Sequence, residues 1–263
     1  MSRRFVFITQ EDPFYVRIFF DEFLRRWPQL DEIGAVFVAP SMGKRSIGKL
    51  ARQMYDFYGP ADFVRLGTRY VRYKLAAKLP LARGAKRYYS IAQACKAYGV
   101  PVEHVPDVNA PEFINRLKAM QPDLVVSVAA PQIFREPLIG IPRLGCINIH
   151  NSKLPKYRGM LPNFWQLYNG ERSVGTSIHR INASLDDGAI LLQRETLIEP
   201  NETLENLILR TKRQGAEIMV EAVERLLSGN LEELPNDRTE ASYYSFPTKQ
   251  HVIEFRRRGL RLI

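Results

Sequence analysis

The chain has 263 residues, 45% hydrophobic and 25% charged, which allows a substantial buried core and excludes a disordered, fibrous or disulfide-scaffold protein. No run approaches the roughly 20 apolar residues that span a bilayer, and the N-terminus, MSRRFVFITQEDPF, turns acidic before it builds the apolar centre of a signal peptide, so the cytoplasm is the expected location. The net charge of +10 is uneven: residues 41–100 hold 13 Lys and Arg against only Asp56 and Asp62, which fits attraction to nucleic acid, an acidic membrane surface or a phosphorylated substrate, or else a solvated helical face.

In chain order, apolar runs suited to buried strands cover Phe5 to Thr9, Gly34 to Ala39, Val100 to Val105, Asp123 to Ala129, Cys146 to His150, Val174 to Ile181 and Ala189 to Leu197. Helical patterns cover Pro13 to Trp27, Ser90 to Tyr98 and Pro111 to Met120, the last opened by Pro111 and closed by Pro122. The alternation predicts an α/β fold, Rossmann-like and doubly wound, with a mostly parallel sheet and flanking helices. Residues 41–90 read as a basic insertion in which DFVRLGTRYVRYKLAAKL is an amphipathic helix or a plain surface helix with snorkelling stems. A further helix runs from Asn201, as N-cap, to Leu227, with Leu204, Leu207, Ala216, Met219 and Val223 on its apolar face and Gly229 at its end. Residues 1–200 are expected to form the catalytic domain, with the helix and tail of 201–263 packed on it. Cys95 and Cys146 form no CxxC pair and read as buried apolar residues, and no metal ligand set is expected.

The candidate chemistry lies in NIHNSKLPKYRG, residues 148–159. Residues i and i+2 of a strand share a face, so Asn148 and His150 project together while Ile147 and Ile149 enter the apolar layer. A parallel strand ends there, at the carboxyl edge where open α/β sheets bind ligands. Taken alone, the pair also fits a hydrogen-bonded structural histidine. Further on, SLDDGAILLQ places Asp186 in a turn between two predicted strands, from which it can return to the same edge. Asn, His and Asp converging on one cleft suit acyl transfer to an amine, with amide and imidazole N–H groups for the oxyanion and an imidazole or carboxylate for the amine's proton. His179, in the next strand, alternates with Ser177 and Ile181 and either faces the site or, the favoured reading, is structural.

These motifs resemble the 10-formyltetrahydrofolate-dependent formyltransferase family, whose signature reads roughly N-x-H-P-S-L-L-P-x-x-R-G, then G-x-T-x-H/Q, then G-L-D-x-G. Here they are NIHNSKLPKYRG, VGTSIHRI and SLDDGAI, preceded by PDLVVSVAAPQIF. The likeness runs from about Val100 to Leu227, and the first 40 residues agree in pattern only. It implies an N-formyltransferase with 10-formyltetrahydrofolate as formyl donor. Asn148 would hold the formyl oxygen, His150 would share that task and move protons, and Asp186 would orient His150 or accept the amine's proton through a water. Ala130, Gln132, Ile133 and Phe134 would line the pterin pocket, largely through backbone groups, with Asn182 and Ala183 bordering it. Asn151 replaces the usual proline, Lys153 a usual leucine, and Asp187 a small residue or Thr.

The family offers several amine acceptors. Methionyl-tRNA formyltransferases append an OB-like domain of about 100 residues, and only 36 residues follow Leu227. Glycinamide ribotide formyltransferases use a Gly- and Ser-rich phosphate loop after the first strand, where this chain has TQEDPFYV. Formyltetrahydrofolate hydrolases carry a further N-terminal domain. The expectation is therefore an enzyme like the sugar N-formyltransferases, its partners a folate and an anionic, nucleotide-linked amino sugar. Arg158, the basic segment or the RRR of the tail would meet the phosphates, and SYYSFPTK would stack a base or sugar, or else pack across its own domain. The alternatives are aminoacyl-tRNA, a lipid-linked amine at a peripheral membrane contact, and a non-enzymatic folate- or anion-binding relative. A homodimer is left open.

Overall fold

Phe5 and Phe7 point to one side of the first strand, Val6 and Ile8 to the other, and all four are fully buried, because this strand lies at the centre of a sheet covered on both faces. The computed structural model describes residues 5–40 and 47–263. Strand β1 (Phe5–Gln10) leads through α1 (Val16–Arg26) to β2 (Ile33–Ala39); α2 (Ile47–Ala76) and α3 (Ile91–Ala97) precede β3 (Val102–His104). Then come α4 (Pro111–Met120), β4 (Leu124–Val128), the one-turn α5 (Glu136–Ile139) and β5 (Cys146–His150). The chain continues through β6 (Arg158–Gly159), α6 (Pro162–Tyr168), β7 (Ser173–Arg180), β8 (Ile190–Leu197), α7 (Leu204–Ser228), β9 (Tyr243–Tyr244) and α8 (Lys249–Arg257).

The seven-stranded sheet has the order β3-β2-β1-β4-β5-β7-β8. Its first five strands are parallel, and β7 and β8 close one side antiparallel. This is the mostly parallel, Rossmann-like α/β sheet that the alternation of elements predicts. The predicted strands and helices recur with their ends shifted by at most three residues. On one face α1 buries Phe19, Phe20 and Phe23 completely, each contributing about 1.5–3 kcal/mol. Helix α7 packs on the same face, and Gly215 lets it approach closely: a Cβ there would lie 2.5 Å from Ile149 Cδ1. The opposite face is covered by α4, with Phe113 against Phe37. Cys95 and Cys146 are both buried, and burial pushes each thiol up to about 12.

One local expectation is corrected. The N-cap of α7 is Thr203, whose hydroxyl accepts from Asn206 N at 3.2 Å, not Asn201. Asn201 instead takes a left-handed conformation (φ 59°) in the preceding turn, where its carbonyl accepts from Arg261. In the basic segment, of which residues 41–46 lie outside the described residues, α2 is interrupted at Gly59 (φ 74°) and restarts at Pro60, where a missing N–H costs nothing. Of its apolar residues Leu66 is buried, and Val64, Val71 and Leu75 are exposed.

Much of the tail packs across its own fold. Tyr244 stacks on Tyr157 with ring centroids 5.3 Å apart, Phe246 joins the cluster of Phe57 and Phe164, and Tyr243 is exposed. Strand β9 pairs with β6, which requires glycine at 159: φ is 100° and a Cβ would fall 2.3 Å from Tyr244 O. Among the described residues no helix is long and apolar enough to cross a membrane.

Candidate active site

The register of β5 against β7 sets the site. Asn148 lies opposite His179, and His150 opposite Ser177. Ile147 and Ile149 enter the core on the α7 side, so Asn148 and His150 share the other face, as two-residue periodicity requires. His179 joins them from the neighbouring strand, its Nε2 3.1 Å from Asn148 Nδ2. Its Nδ1 lies 2.8 Å from the Arg180 carbonyl. A carbonyl only accepts, so Nδ1 carries the proton and, in the neutral ring, Nε2 accepts from the Asn148 amide.

Beyond His150 the loop of residues 151–157 folds back against the sheet. Ser177 Oγ donates to Ser152 O at 2.6 Å and accepts from Leu154 N at 3.2 Å, and Gln166 Nε2 donates to Asn151 O at 2.9 Å. Gly175 is needed beneath it, since a Cβ there would lie 2.1 Å from Lys153 N. The loop delivers the Tyr157 carbonyl to 2.7 Å from His150 Nε2. The same tautomer logic places the His150 proton on Nε2 and leaves Nδ1 as the basic nitrogen.

Asp186 reaches this face by an unexpected route. The turn between β7 and β8 leaves the sheet beside the first residue of β5, where Ile181 N donates to Cys146 O, so it starts at the amino end of that strand and doubles back over the face. Gly188 allows the fold-back, for a Cβ there would lie 2.1 Å from Arg180 O. Asp186, at φ 50°, then places Oδ2 3.7 Å from His150 Nδ1 and Oδ1 3.6 Å from His179 Nε2. Its Oδ2 also accepts from Gly159 N at 3.0 Å. Carboxylate and imidazoles are buried at 8%, 7% and 2% exposure for Asp186, His150 and His179.

Burial alone would raise the Asp186 carboxyl, but the two imidazoles and the Gly159 N–H outweigh it and hold the group well below the usual carboxylate range. For His150 burial is the larger effect and lowers it below the ordinary histidine value, against the pull of Asp186. At neutral pH the pair is therefore an anionic carboxylate beside a neutral imidazole whose free nitrogen faces it. A proton arriving on Nδ1 would produce an imidazolium held between Asp186 and the Tyr157 carbonyl.

The other expected residues are placed as follows. The loop after β4 is latched to residues 106–109: Gln132 accepts from Val108 N at 2.8 Å and donates to Pro106 O at 2.9 Å, and Asn109 donates to Ile133 O at 2.9 Å. Phe134 is packed into the core on the α4 side, Ala130 lies partly buried against the same cluster, and Ile133 is 65% exposed. Asn182 and Ala183 are exposed, with Asn182 Oδ1 accepting from Ser184 N at 2.9 Å in its own turn. Ile181 packs against the same cluster as Ala130, so both segments border this side of the sheet.

The phosphate-binding arginines expected from the sequence are occupied. Arg158 pairs with Asp187 at 2.6 Å and donates to Asn236 Oδ1 at 2.9 Å. Arg256 bonds the Tyr58 carbonyl, and Arg257 and Arg258 pair with Glu254. Asp187, the departure from the family pattern, thus serves as the counterion of Arg158 and Arg238.

Three residues that sequence reasoning missed or set aside belong to this neighbourhood. His179 is in the cluster; its register opposite Asn148 depends on strand pairing that one sequence does not display. Asn236, from the tail, donates to the carbonyls of Asp186 and Gly188 at 3.0 and 2.9 Å and accepts from Arg158, clamping the returning turn. Lys212 lies one helical turn before Gly215 on α7, is 8% exposed, and has no hydrogen-bond or ion-pair partner among the described residues. Burial lowers its ammonium, against the opposing pull of Asp12, and its charge disfavours protonation of His150. A lysine this little exposed, with no ion pair among the described residues and with Asp12 and His150 within its electrostatic reach, is a candidate contact for an anionic ligand.

Comparison with known proteins identifies the relatives of this chain. A family model described as formyl transferase matches residues 82–223. The chain is 35% identical over 173 residues to the methionyl-tRNA formyltransferase of Trichlorobacter lovleyi, a match covering 65% of this chain and 55% of that protein. It thus spans about half the length of the curated relatives it matches. The fold is shared with a sugar N-formyltransferase from a Shewanella species (TM-score 0.59, 18% identity, covering 96% of this chain and 87% of that one). It is shared too with an N-formyltransferase from Helicobacter canadensis solved with folinic acid and dTDP-3-aminofucose (TM-score 0.56, 18% identity, 91% and 70% coverage).

Proposed function

Given that this chain belongs to the formyl transferase family, we propose that it moves a formyl group from 10-formyltetrahydrofolate to a primary amine at the cluster of Asn148, His150 and Asp186. The observation that carries this reading is the approach of Asp186 Oδ2 to 3.7 Å from His150 Nδ1, two residues 36 apart in sequence that meet over the strand bearing Asn148.

The residues present fit such a donor. The Asn148 side chain is only partly buried and spends one amide N–H on His179, leaving the other for a carbonyl oxygen. Three residues on, Asn151 Oδ1 is buried without a hydrogen-bond partner among the described residues. The folate supplies an activated formyl carbon on a nitrogen leaving group. Asn148 donates to the formyl oxygen as it gains charge, and the buried setting strengthens that contact. His150 Nδ1 takes the proton that the amine loses on attack, and Asp186 stabilises the resulting imidazolium. The same proton is then available for the departing folate nitrogen, which restores neutral His150. Ala130, Gln132, Ile133 and Phe134, with Asn182 and Ala183, border the pterin.

For the acceptor we favour a nucleotide-linked amino sugar, because Lys212, little exposed and without an ion pair among the described residues, offers an ammonium that a phosphate can meet. Aminoacyl-tRNA is the second reading, favoured by the 35% identity to a methionyl-tRNA formyltransferase. The test is release of tetrahydrofolate from 10-formyltetrahydrofolate with amino-sugar nucleotides, aminoacyl-tRNA and simple amines, using the wild-type chain and His150→Ala. Turnover that needs one acceptor class and is lost in the folded variant is expected. Unchanged turnover in His150→Ala would overturn the proposal.

A further inference from the structure

The second half of α2, from Pro60 onward, is apolar on two faces, and the fold uses only one. Leu66 is buried at 8% exposure, whereas Val64, Val71 and Leu75 are 64%, 56% and 60% exposed. Positions i, i+7 and i+11 of a helix fall within a narrow stripe, and Leu79, 62% exposed just past the helix end, extends it. Arg65, Arg72 and Lys78 flank the stripe, all exposed and without a side-chain ion pair among the described residues. Arg69 and Lys74 behave differently: they pair with Glu205 and Glu11 and hold the inner side of the helix to the body of the protein. Between Asp62 and Glu103 the chain has no acidic residue and nine Lys and Arg, so no carboxylate of this segment relieves the field.

An aliphatic centre rimmed by unpaired cations constrains the occupant. A second copy meeting the same face across a two-fold axis would oppose Arg65, Arg72 and Lys78 to themselves. Nucleic acid would satisfy the cations but would gain little from Val64, Val71 and Leu75, which neither stack on bases nor hydrogen-bond them. An anionic bilayer satisfies both parts, taking aliphatic side chains at the headgroup boundary and cations among the phosphates. We propose that the outer face of α2 docks this protein on an anionic lipid surface. Lys74 pairs with Glu11, directly after β1, so the inner side of the docking helix is anchored at the carboxyl edge of the parallel sheet, the edge at which β5 ends in His150.

The full chain would be sedimented with vesicles of phosphatidylcholine alone and of phosphatidylcholine with about a third phosphatidylglycerol. Binding to the anionic vesicles and not to the neutral ones is expected. Arg65→Glu/Arg72→Glu/Lys78→Glu should weaken it at least about tenfold, and Val71→Ser/Leu75→Ser should weaken it separately, with both variants folded by circular dichroism because all five positions are exposed. Binding to neither vesicle, or binding indifferent to both variants, overturns the proposal. So does concentration-dependent dimerisation abolished by Val71→Ser/Leu75→Ser, which assigns the face to a second copy. Binding of a DNA or RNA oligonucleotide that depends on the charges alone, without lipid binding, overturns it likewise.

Discussion

Asp186→Asn replaces the buried carboxylate by an amide of nearly the same shape. Two unit charges about 4 Å apart at an effective dielectric constant near 20 interact by about 4 kcal/mol, and the carboxylate oxygen lies 3.7 Å from His150 Nδ1. At about 1.4 kcal/mol per factor of ten, losing that stabilisation of the imidazolium lowers kcat about 10³-fold. The asparagine oxygen can still accept from Gly159 N, so the turn keeps its anchor and the melting temperature changes little. The pH profile supplies a second readout. Asp186 raises the His150 pKa against the larger lowering by burial, so without it that pKa falls further and the acid limb of kcat/KM moves to lower pH. Both are read from tetrahydrofolate release under saturating donor across the pH range. A loss of less than about tenfold, or an acid limb that moves upward, would refute the assignment.

Lys212→Met removes a charge that disfavours protonation of His150, so the acid limb of kcat/KM should move to higher pH and the KM of an anionic acceptor should rise; a profile and KM identical to wild type would count against a role for Lys212. Asn236→Ala removes the donor to the carbonyls of Asp186 and Gly188 and should cost about 1–3 kcal/mol in urea unfolding together with a fall in kcat that KM does not share; stability loss with unchanged kcat would make the clamp merely structural. Stability should also fall in acid in two stages. The folded His150 pKa is lowered, so below the ordinary histidine value the unfolded chain takes up a proton that the folded chain declines. Asp186 is lowered as well, so its contribution, present above the ordinary carboxylate value, is lost as pH falls through the folded value. Urea midpoints that stay level from neutral pH to pH values below the carboxylate range would contradict this.

Much of this was legible in residue order. The helix of Pro111–Met120 and the strand of Cys146–His150 coincide with their predicted bounds, because local signals there agree with tertiary demand: proline at a first turn, and apolar residues alternating with polar ones beside a sheet edge. The placing of Asn148 and His150 on one face follows from the two-residue period alone. Arg158 and the tail arginines show the limit. As sequence they are cations available to a phosphate; only the fold brings Asp187 to Arg158, whereas Glu254 meets Arg257 and Arg258 at helical spacings of three and four that residue order already contains.

The sequence by itself determined the class of sheet, the strand that carries the candidate chemistry and the motif likeness, since each depends on periodicity and order within short windows. Tertiary structure decided what faces what. It set His179 opposite Asn148, turned the 181–189 segment back so that Asp186 meets both imidazoles, brought Asn236 across to clamp that turn, and buried Lys212 on the helix that covers the sheet. Those contacts depend on strand register and on packing between residues tens of positions apart, and no local pattern in a single chain encodes them.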